Sequence, residues 1–281
     1  MPGRIDVWLP APWRSDLGRH LAAELLSAGT YVRLRLDAVV NVVSLAERPD
    51  LVEQELPFGA GWPEIIFHDP FAKRYMPRVD ELFLHFNLAV LDETGAVIAG
   101  GWGVPLTWDG DPGHLPEGWD AALQQSVSNH DEGRSPDTLC TMAAEVVEGH
   151  RGEGLGGAVL SALKERALRH GLQRMVAPAR PTMKAMYPLI AIDRYSAWVR
   201  DDGNLFDPWL RTHANAGAKV VATTRESMRI EGTVEEWERW ANMRFPETAT
   251  YVVPDALDLV HIDRERDFGV YLEPAVWMRH L

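Results

Sequence analysis

The sequence contains a single cysteine, Cys140, among its 281 residues. One thiol cannot form a disulfide within the chain, and this composition is typical of a protein in a reducing compartment. The sequence also has no apolar run long enough to cross a bilayer. Residues 1–6 lack the basic and then apolar pattern of a signal peptide. We therefore expect a cytoplasmic protein with no membrane partner.

Positive charge is scarce as well. Lysine and arginine total 28 against 41 for aspartate and glutamate, so the formal net charge is −13. This excess disfavours nucleic acid as a partner, because the phosphate backbone is repelled. It does not exclude a phosphate-bearing small molecule, since backbone amides and one arginine can hold phosphate locally. The patterns H-E-x-x-H, C-x-x-C and G-x-S-x-G do not occur, so we expect neither a metal nor a nucleophile elbow.

The hydrophobic pattern alternates between strands and helices, which predicts an α/β (α+β) fold with a mixed sheet. Residues 82–91 alternate apolar and polar positions before a short turn, so they and residues 96–106 are expected to form an antiparallel hairpin. Residues 57–80 carry aromatic side chains among glycine and proline and are interpreted as an irregular loop. The other predicted helices cover 15–28, 49–56, 119–127, 157–170, part of 181–208, 208–216 and 233–240, the last opened by a capping box; the other predicted strands cover 31–43, 139–147, 173–177, 219–223, 227–230, 251–253 and 257–262.

A strand, a glycine-rich turn and a helix follow one another between residues 139 and 170. Five glycines lie between 149 and 157, and glycine lets the backbone turn tightly and approach a ligand closely. Free amides at the start of the helix would face one point together with the helix dipole, which is typical of a diphosphate site. Residues 152–157 also satisfy the dinucleotide motif G-x-G-x-x-G. That motif requires an acidic residue about 20 positions later, and the strand at 173–180 has none.

The run Arg151-Gly152-Glu153-Gly154-Leu155-Gly156 matches the pattern (Arg or Gln)-x-x-Gly-x-(Gly or Ala). With the hairpin before it and the proline-containing strand after it, this run resembles the GNAT acyltransferase superfamily. The resemblance implies a mostly antiparallel central sheet with splayed central strands and flanking helices. We assign residues 1–281 to a single enlarged domain, with an acyltransferase core at 40–225, insertions at 107–137 and 181–208, an N-terminal helical extension at 1–40 and a C-terminal extension at 225–281.

In this family the pyrophosphate of coenzyme A lies on the loop amides, and the pantetheine arm pairs with the strand before the loop. The resemblance therefore implies acetyl-CoA, or another acyl-CoA, as co-substrate, and no metal. The residues that correspond to the pyrophosphate site are Arg151, Gly152, Gly154, Gly156 and Gly157, and those along the pantetheine arm are Val146 and Val147.

Direct acyl transfer needs a base for the amine and an acid for the departing thiolate. Family members often carry a carboxylate on the strand before the loop, which makes Glu145 the candidate base; a solvent-facing or salt-bridged glutamate is the alternative. His213 stands where the family commonly has a tyrosine acid. It is the candidate acid, or else a residue that favours the dipole at a helix C-terminus. Tyr187 and Tyr195 are fallback candidates.

The function implied by the resemblance is transfer of an acyl group, most simply acetyl, from acyl-CoA to a small amine in a ternary complex. Two alternatives remain open. One is an acyltransferase that uses longer-chain or carrier-protein-bound acyl groups, with residues 57–80 lining the acyl tunnel. The other is a catalytically silent sensor or scaffold that binds acyl-CoA. The added segments would close the acceptor pocket or form a homodimer, and the identity of the amine is open.

Overall fold

The computed structural model describes residues 41–52, 59 and 61–281. The helix expected over 15–28 and most of the strand expected over 31–43 lie outside these residues. Residues 41–281 form one compact unit, and no helix in this described part is long and apolar enough to span a bilayer. The assignment of 1–281 to one domain stays a prediction.

Nine strands of the described residues join in one mixed sheet, in the order β1-β2-β3-β4-β5-β9-β8-β7, and β6 pairs with β9. The strands are β1 (Asn41–Ser44), β2 (Asn87–Leu91), β3 (Val97–Leu106), β4 (Thr138–Val146), β5 (Arg174–Ala179), β6 (Lys219–Gly232), β7 (Ala249–Tyr251), β8 (Val260–Asp263) and β9 (Phe268–Arg279). The α-helices are α1 (Pro70–Leu82), α2 (Trp119–Asp131), α3 (Leu155–Arg169), α4 (Ile192–Ser196), α5 (Pro208–Asn215) and α6 (Val234–Trp240). The expected α/β fold with a mostly antiparallel sheet is confirmed.

The hairpin in the first half of the chain is confirmed, although its first strand is shorter than expected. β2 and β3 pair antiparallel with Ala89 opposite Gly100. The alternation from Leu82 onward is not all strand, because Leu82 ends α1 and a 3-10 turn covers Leu84–Phe86. The helix, the 3-10 turn and the strand share one short segment rich in apolar residues, and periodicity does not place boundaries within so short a segment.

The prediction of an irregular loop over 57–80 is wrong for its described part. A 3-10 helix covers Glu64–His68, and α1 follows it. Asp69 caps α1, since its side chain accepts a hydrogen bond from the Phe71 N–H, and Pro70 occupies the first helical position. Pro77 lies inside the helix, and such a proline normally argues against one. The cap and the first-turn proline were the sequence signal that pointed to a helix.

The two central parallel strands separate after a short contact. β4 and β5 pair only at three positions, from Thr138 opposite Arg174 to Cys140 opposite Val176. Beyond Cys140, β4 stays paired with β3, whereas β5 pairs with β9. Pro178 lies in the diverging part of β5 and has no N–H to donate to a neighbour. The expected splay is therefore present, and it opens between residues 141–146 and 177–179.

The strand at the C-terminus was missed by the sequence analysis, which placed the last strands within 251–262. β9 pairs along one edge with β6, and along the other with β5 and β8. The segment expected to be a C-terminal extension thus contains a strand in the middle of the sheet. Its residues 273–278 are buried without interruption, so this half of the strand shows no alternation of buried and exposed positions.

Two further predictions concern the segments around β9. The strands expected at 219–223 and 227–230 are one strand, β6, with a register irregularity between Thr224 and Met228. The expected capping box is confirmed, because the Thr233 side chain accepts from the Glu236 N–H and the Glu236 carboxylate accepts from the Thr233 N–H. The helix that it opens packs Trp237 into the core between β9 and the 3-10 helix at Glu64–His68.

Two buried carboxyl groups join the starts of α1 and α2. The Asp69 carboxylate accepts from the Phe71 N–H, and Asp120 Oδ2 accepts from the Arg229 N–H at 2.9 Å. Their other oxygens have no partner among the described residues except each other's carboxyl group. Burial, and then the hydrogen bond and charge of Asp69, raise the pKa of Asp120 well above the usual carboxyl range. The pair therefore keeps a proton that the unfolded chain releases.

This retained proton makes the stability depend on pH. Because the folded-state pKa is raised, its contribution is full at acid pH and is lost as the pH rises above the ordinary carboxyl range, at up to about 1.4 kcal/mol per pH unit. We expect Asp120→Asn, which keeps an acceptor for Arg229 and a donor for Asp69, to flatten this dependence. Urea unfolding between pH 5 and 8 measures it. Asp92→Asn, at an exposed turn, is the control and should follow the wild type.

Candidate functional site

The turn after β4 depends on glycines with left-handed backbone. Gly149, Gly152 and Gly154 have φ angles of 99°, 87° and 86°. A Cβ atom on any of them would meet nothing within 4 Å, so the requirement is for the backbone angle and not for space. Gly154 directly precedes α3 and turns the chain into it. The turn therefore ends with the helix start facing open space.

The first turn of α3 presents free backbone donors. The amide of Ala158 donates to Gly154 O, so the amides of the three residues before it have no partner within the helix. Leu155, Gly156 and Gly157 line a cavity of the described residues. Free amides and the positive end of the helix dipole at one point form an anion site. The local sequence thus builds the kind of anion site that its glycines predict.

Arg151 extends this anion site. Its side chain makes no ion pair with the described residues and lines the same cavity. The guanidinium lies beside Gly61, where an added Cβ atom would be 3.1 Å from Arg151 Nη2. A guanidinium without an acidic partner is available for a phosphate oxygen.

The cavity itself occupies the opening between β4 and β5. It has a volume of about 1200 Å³ and is lined by Thr141–Val146 on the β4 side and by Ala177–Arg180 on the β5 side. α5 contributes Trp209 and His213, and β9 contributes Glu273. The open edges of two strands with an anion site at one end suit a long ligand that carries phosphate.

Of the two residues expected along a pantetheine arm, the geometry favours Val146. The Val147 N–H donates to Ile98 O, so the polar backbone groups of Val147 face β3. Successive residues of a strand direct these groups to opposite sides, and those of Val146 therefore face the opening. Val146 lines the cavity, and Val147 is not among its lining residues. Val147 is thus not suited to the pairing role expected of it.

Glu145 lies in the cavity wall, and its carboxylate is already engaged. It accepts hydrogen bonds from the Gly59 N–H at 2.9 Å and from Trp62 Nε1 at 3.0 Å. Glu145 is neither an isolated surface residue nor part of a salt bridge with the described residues. Its carboxylate holds the segment before α1 against β4.

His213 lies in the wall formed by α5 and is only 1% exposed. One ring nitrogen, Nδ1, is 2.8 Å from His280 Nε2, and the other, Nε2, has no partner among the described residues. Burial, and then the nearby His280, lower the pKa of His213 to about 3. The ring is therefore neutral at physiological pH.

The fallback tyrosines lie apart from the cavity. Neither Tyr187 nor Tyr195 is among its lining residues, and the Tyr195 O–H is buried and donates to Asp207 Oδ2. These two rings pack with Trp198 and Phe206 in an aromatic cluster. The fallback assignment is therefore not supported by their positions.

Several cavity residues were missed by the sequence analysis. They come from separate parts of the chain and share no motif: Trp102, Trp119, Arg180, Asp255 and Glu273. Arg180 was visible as the polar residue at the end of a strand next to the splay. Glu273 lies on β9, and without that strand the sequence had no signal for it. Within the described part of the chain, no group of three or more His, Cys, Asp or Glu side chains could hold a metal ion.

Comparison with known proteins gives two informative similarities. No protein-family model matches the chain. Arginine N-acetyltransferase avaD from Aspergillus versicolor is 28% identical, and the match covers 85% of this chain and 93% of that protein. The structure of the loading GNATL domain of CurA from Lyngbya majuscula has a TM-score of 0.51 at 13% identity, covering 86% of this chain and 97% of that domain.

The second similarity concerns the fold alone, whereas the first extends along most of both sequences. They agree with the splayed parallel strands and with the glycine-rich loop at 151–157 that starts α3. The chain therefore has the fold of a GNAT domain, and its sequence is similar to that of an N-acetyltransferase.

Proposed function

We propose that this chain transfers an acetyl group from acetyl-CoA to a small amine within a ternary complex. The observation that carries the proposal is the opening between β4 and β5, which leads directly to the free amides at the start of α3. The choice of an amine as the acceptor rests on the similarity to an arginine N-acetyltransferase. The expected homodimer stays a prediction.

The cofactor would lie along β4. Its pyrophosphate would contact Arg151 and the amides from Gly152 to Gly157, and its pantetheine arm would pair with the backbone of Val146. The acyl thioester would then lie in the middle of the opening, between β4 and β5. The amine would reach it from the part of the cavity lined by β9 and the tryptophans.

The reaction requires two proton movements. The amine nitrogen attacks the thioester carbon, so that a C–N bond forms and the C–S bond breaks. Glu145 is proposed to take the ammonium proton, directly or through water, because its carboxylate lies in the cavity wall. Its two hydrogen-bond donors fix its position while leaving oxygen lone pairs for a further donor.

His213 is proposed to supply a proton to the thiolate, but as a neutral ring. Nε2 would give up its proton while Nδ1 receives one from His280 Nε2, 2.8 Å away, and His280 would in turn take up a proton from solvent at its own Nδ1. The ring then stays neutral throughout, as its lowered pKa requires. An imidazolium acid, the ordinary form of this role, does not fit so buried a ring.

Longer acyl groups are a second candidate. Ile66, Phe67, Ala72 and Met76 line the cavity from the segment around the start of α1. These side chains give the cavity an apolar wall, which suits an acyl chain longer than acetyl. Acyl-CoA esters from two to ten carbons, tested as donors with one amine, separate the two candidates by the chain length that gives the highest kcat/KM.

The first test is cofactor binding. Arg151→Ala is expected to raise the Kd for acetyl-CoA by about tenfold or more, because a hydrogen bond to a charged group contributes about 1.5–3 kcal/mol. Gly154→Val is expected to abolish binding, since valine does not tolerate its left-handed backbone. Isothermal titration measures both.

Two matched controls accompany these variants. Gly95→Val places the same strain in the β2–β3 turn, where φ is 84° and a Cβ atom meets nothing within 4 Å. Arg169→Ala removes an exposed arginine at the far end of α3. Both should bind acetyl-CoA as the wild type does. Equal binding by all four variants would show that the loop is not the cofactor site.

A second test concerns Glu145. If it is the base, Glu145→Gln should lower kcat by about 100-fold or more and leave the Kd for acetyl-CoA nearly unchanged. Trp62→Phe removes one donor to the carboxylate and keeps the carboxylate itself, so its kcat should stay within a few fold of wild type. Steady-state kinetics with acetyl-CoA and arginine measure this. A similar loss in both variants would mean that Glu145 only anchors the segment before α1.

A further inference from the structure

Arg180 is a cation fixed in the cavity wall immediately after β5. Its Nε donates to Glu273 Oε1 at 2.6 Å, and its Nη2 donates to Asp255 O at 2.7 Å. Its Nη1 donates to none of the described residues, and the side chain is 18% exposed. Since Arg180 lines the cavity, it has N–H groups to offer to a ligand.

The partners of Arg180 are themselves rigid. Glu273 is 2% exposed, and its Oε2 accepts a hydrogen bond from the buried Tyr271 O–H at 2.7 Å. The same hydroxyl accepts from the Leu257 N–H. A chain of hydrogen bonds thus holds the guanidinium in one orientation. An arginine fixed in this way loses little freedom when it binds a further group, which favours recognition of an anion.

Arg180 also lies on the side of the opening away from the cofactor loop. It follows β5, which pairs with β9, whereas the loop at 151–157 follows β4, which pairs with β3. Asp255 and Glu273 belong to the segment 233–281, which does not contribute to the loop. Arg180 is therefore placed to contact the acceptor and not the pyrophosphate of the cofactor.

The free edge of a guanidinium calls for an anionic oxygen, and a carboxylate fits it best. We propose that Arg180 binds the carboxylate of the acceptor, so that the acceptor is an amino acid rather than an amine without a carboxylate. This inference rests on the proposed acyl transfer and names its substrate class. Arg180 thereby determines specificity, and its nearest acidic partner, Glu273, positions it.

The consequence is selection between acceptors that differ by one carboxylate. Arginine and agmatine share the guanidinium and the reacting amine nitrogen, and agmatine lacks only the carboxylate. A site with a charged donor discriminates against a ligand that leaves the donor unpaired. We expect kcat/KM for arginine to exceed that for agmatine by about 10- to 100-fold, mainly through KM.

The test uses a neutral pair, Arg180→Gln/Glu273→Gln, because Arg180→Gln alone would leave the buried Glu273 without its cation. In this double variant kcat/KM for arginine should fall to about the value for agmatine, and kcat/KM for agmatine should change by less than about threefold. Argininamide, which keeps the size of arginine without the charge, should behave as agmatine does. The Kd for acetyl-CoA should stay within about twofold.

The matched control is Arg166→Gln/Glu47→Gln. It removes an ion pair of the same composition at the surface of α3, away from the cavity lining. The ratio of arginine to agmatine should be that of the wild type. A lost ratio in this control would assign the effect to general destabilisation and overturn the inference.

Binding is measured separately from turnover, so that the two proposals fail in different ways. Arginine and agmatine are titrated into the complex of the full chain with free coenzyme A. Tighter binding of arginine, abolished in Arg180→Gln/Glu273→Gln, supports the inference even if no acetyl group is transferred, in which case the proposed function fails. Three results would each overturn the inference about Arg180. They are equal binding of arginine and agmatine, binding of neither, and weaker acetyl-CoA binding in the double variant.

Discussion

The separation of β4 from β5 is the constraint on which the rest of the site depends. Two parallel strands that pair at only three positions leave backbone donors and acceptors without strand partners. Each strand satisfies its other edge, β4 with β3 and β5 with β9, so the sheet stays continuous on both sides. The unpaired edges then form the walls of a cavity rather than an exposed edge that invites aggregation. A ligand that supplies hydrogen bonds to one of these walls completes the sheet locally.

The glycine-rich loop at 151–157 reaches this opening because α3 packs very closely on β3. At Gly101 an added Cβ atom would lie 2.6 Å from Val159 Cγ1, so no larger residue fits beneath the helix. At Gly156 it would lie 3.1 Å from the Trp209 ring, which brings α5 against the start of α3. These two contacts aim the helix start at the cavity. The glycines of the turn are required for their left-handed backbone angles. Gly101 and Gly156 are instead required because a side chain would not fit in the packing around α3.

Charge in the cavity differs from charge over the whole chain. The net charge is −13, yet Arg151 and Arg180 lie on the two sides of the opening. They are not equivalent, because Arg151 has no acidic partner among the described residues, whereas Arg180 is tied to the buried Glu273. A cation without an acidic partner suits a phosphate that backbone amides already orient. A fixed one suits a small group whose position decides where the amine lies relative to the thioester. The overall negative charge would then attract a cationic acceptor toward a site with local positive groups.

The sequence by itself determined the features that rest on neighbouring residues. The turn at Gly149–Gly154, the free amides of α3, the hairpin of β2 and β3, and the capping box at Thr233 all follow from local backbone preferences and periodicity. The splay was also predictable, since Pro178 removes a donor from a strand that would otherwise pair.

Only the tertiary structure decided which distant side chains meet. Glu145 meets a segment 86 residues earlier in the chain, His213 meets His280 67 residues later, and Arg180 meets Glu273 93 residues later. Such contacts depend on the order of strands in the sheet, and β9 places two of these partners. Residues 273–278 of that strand are buried on both faces and so lack the alternation that reveals a strand in sequence. The glycine-rich loop at 151–157 could therefore be predicted from a short motif, whereas the cavity wall around Arg180 and Glu273 forms only when the last strand enters the middle of the sheet.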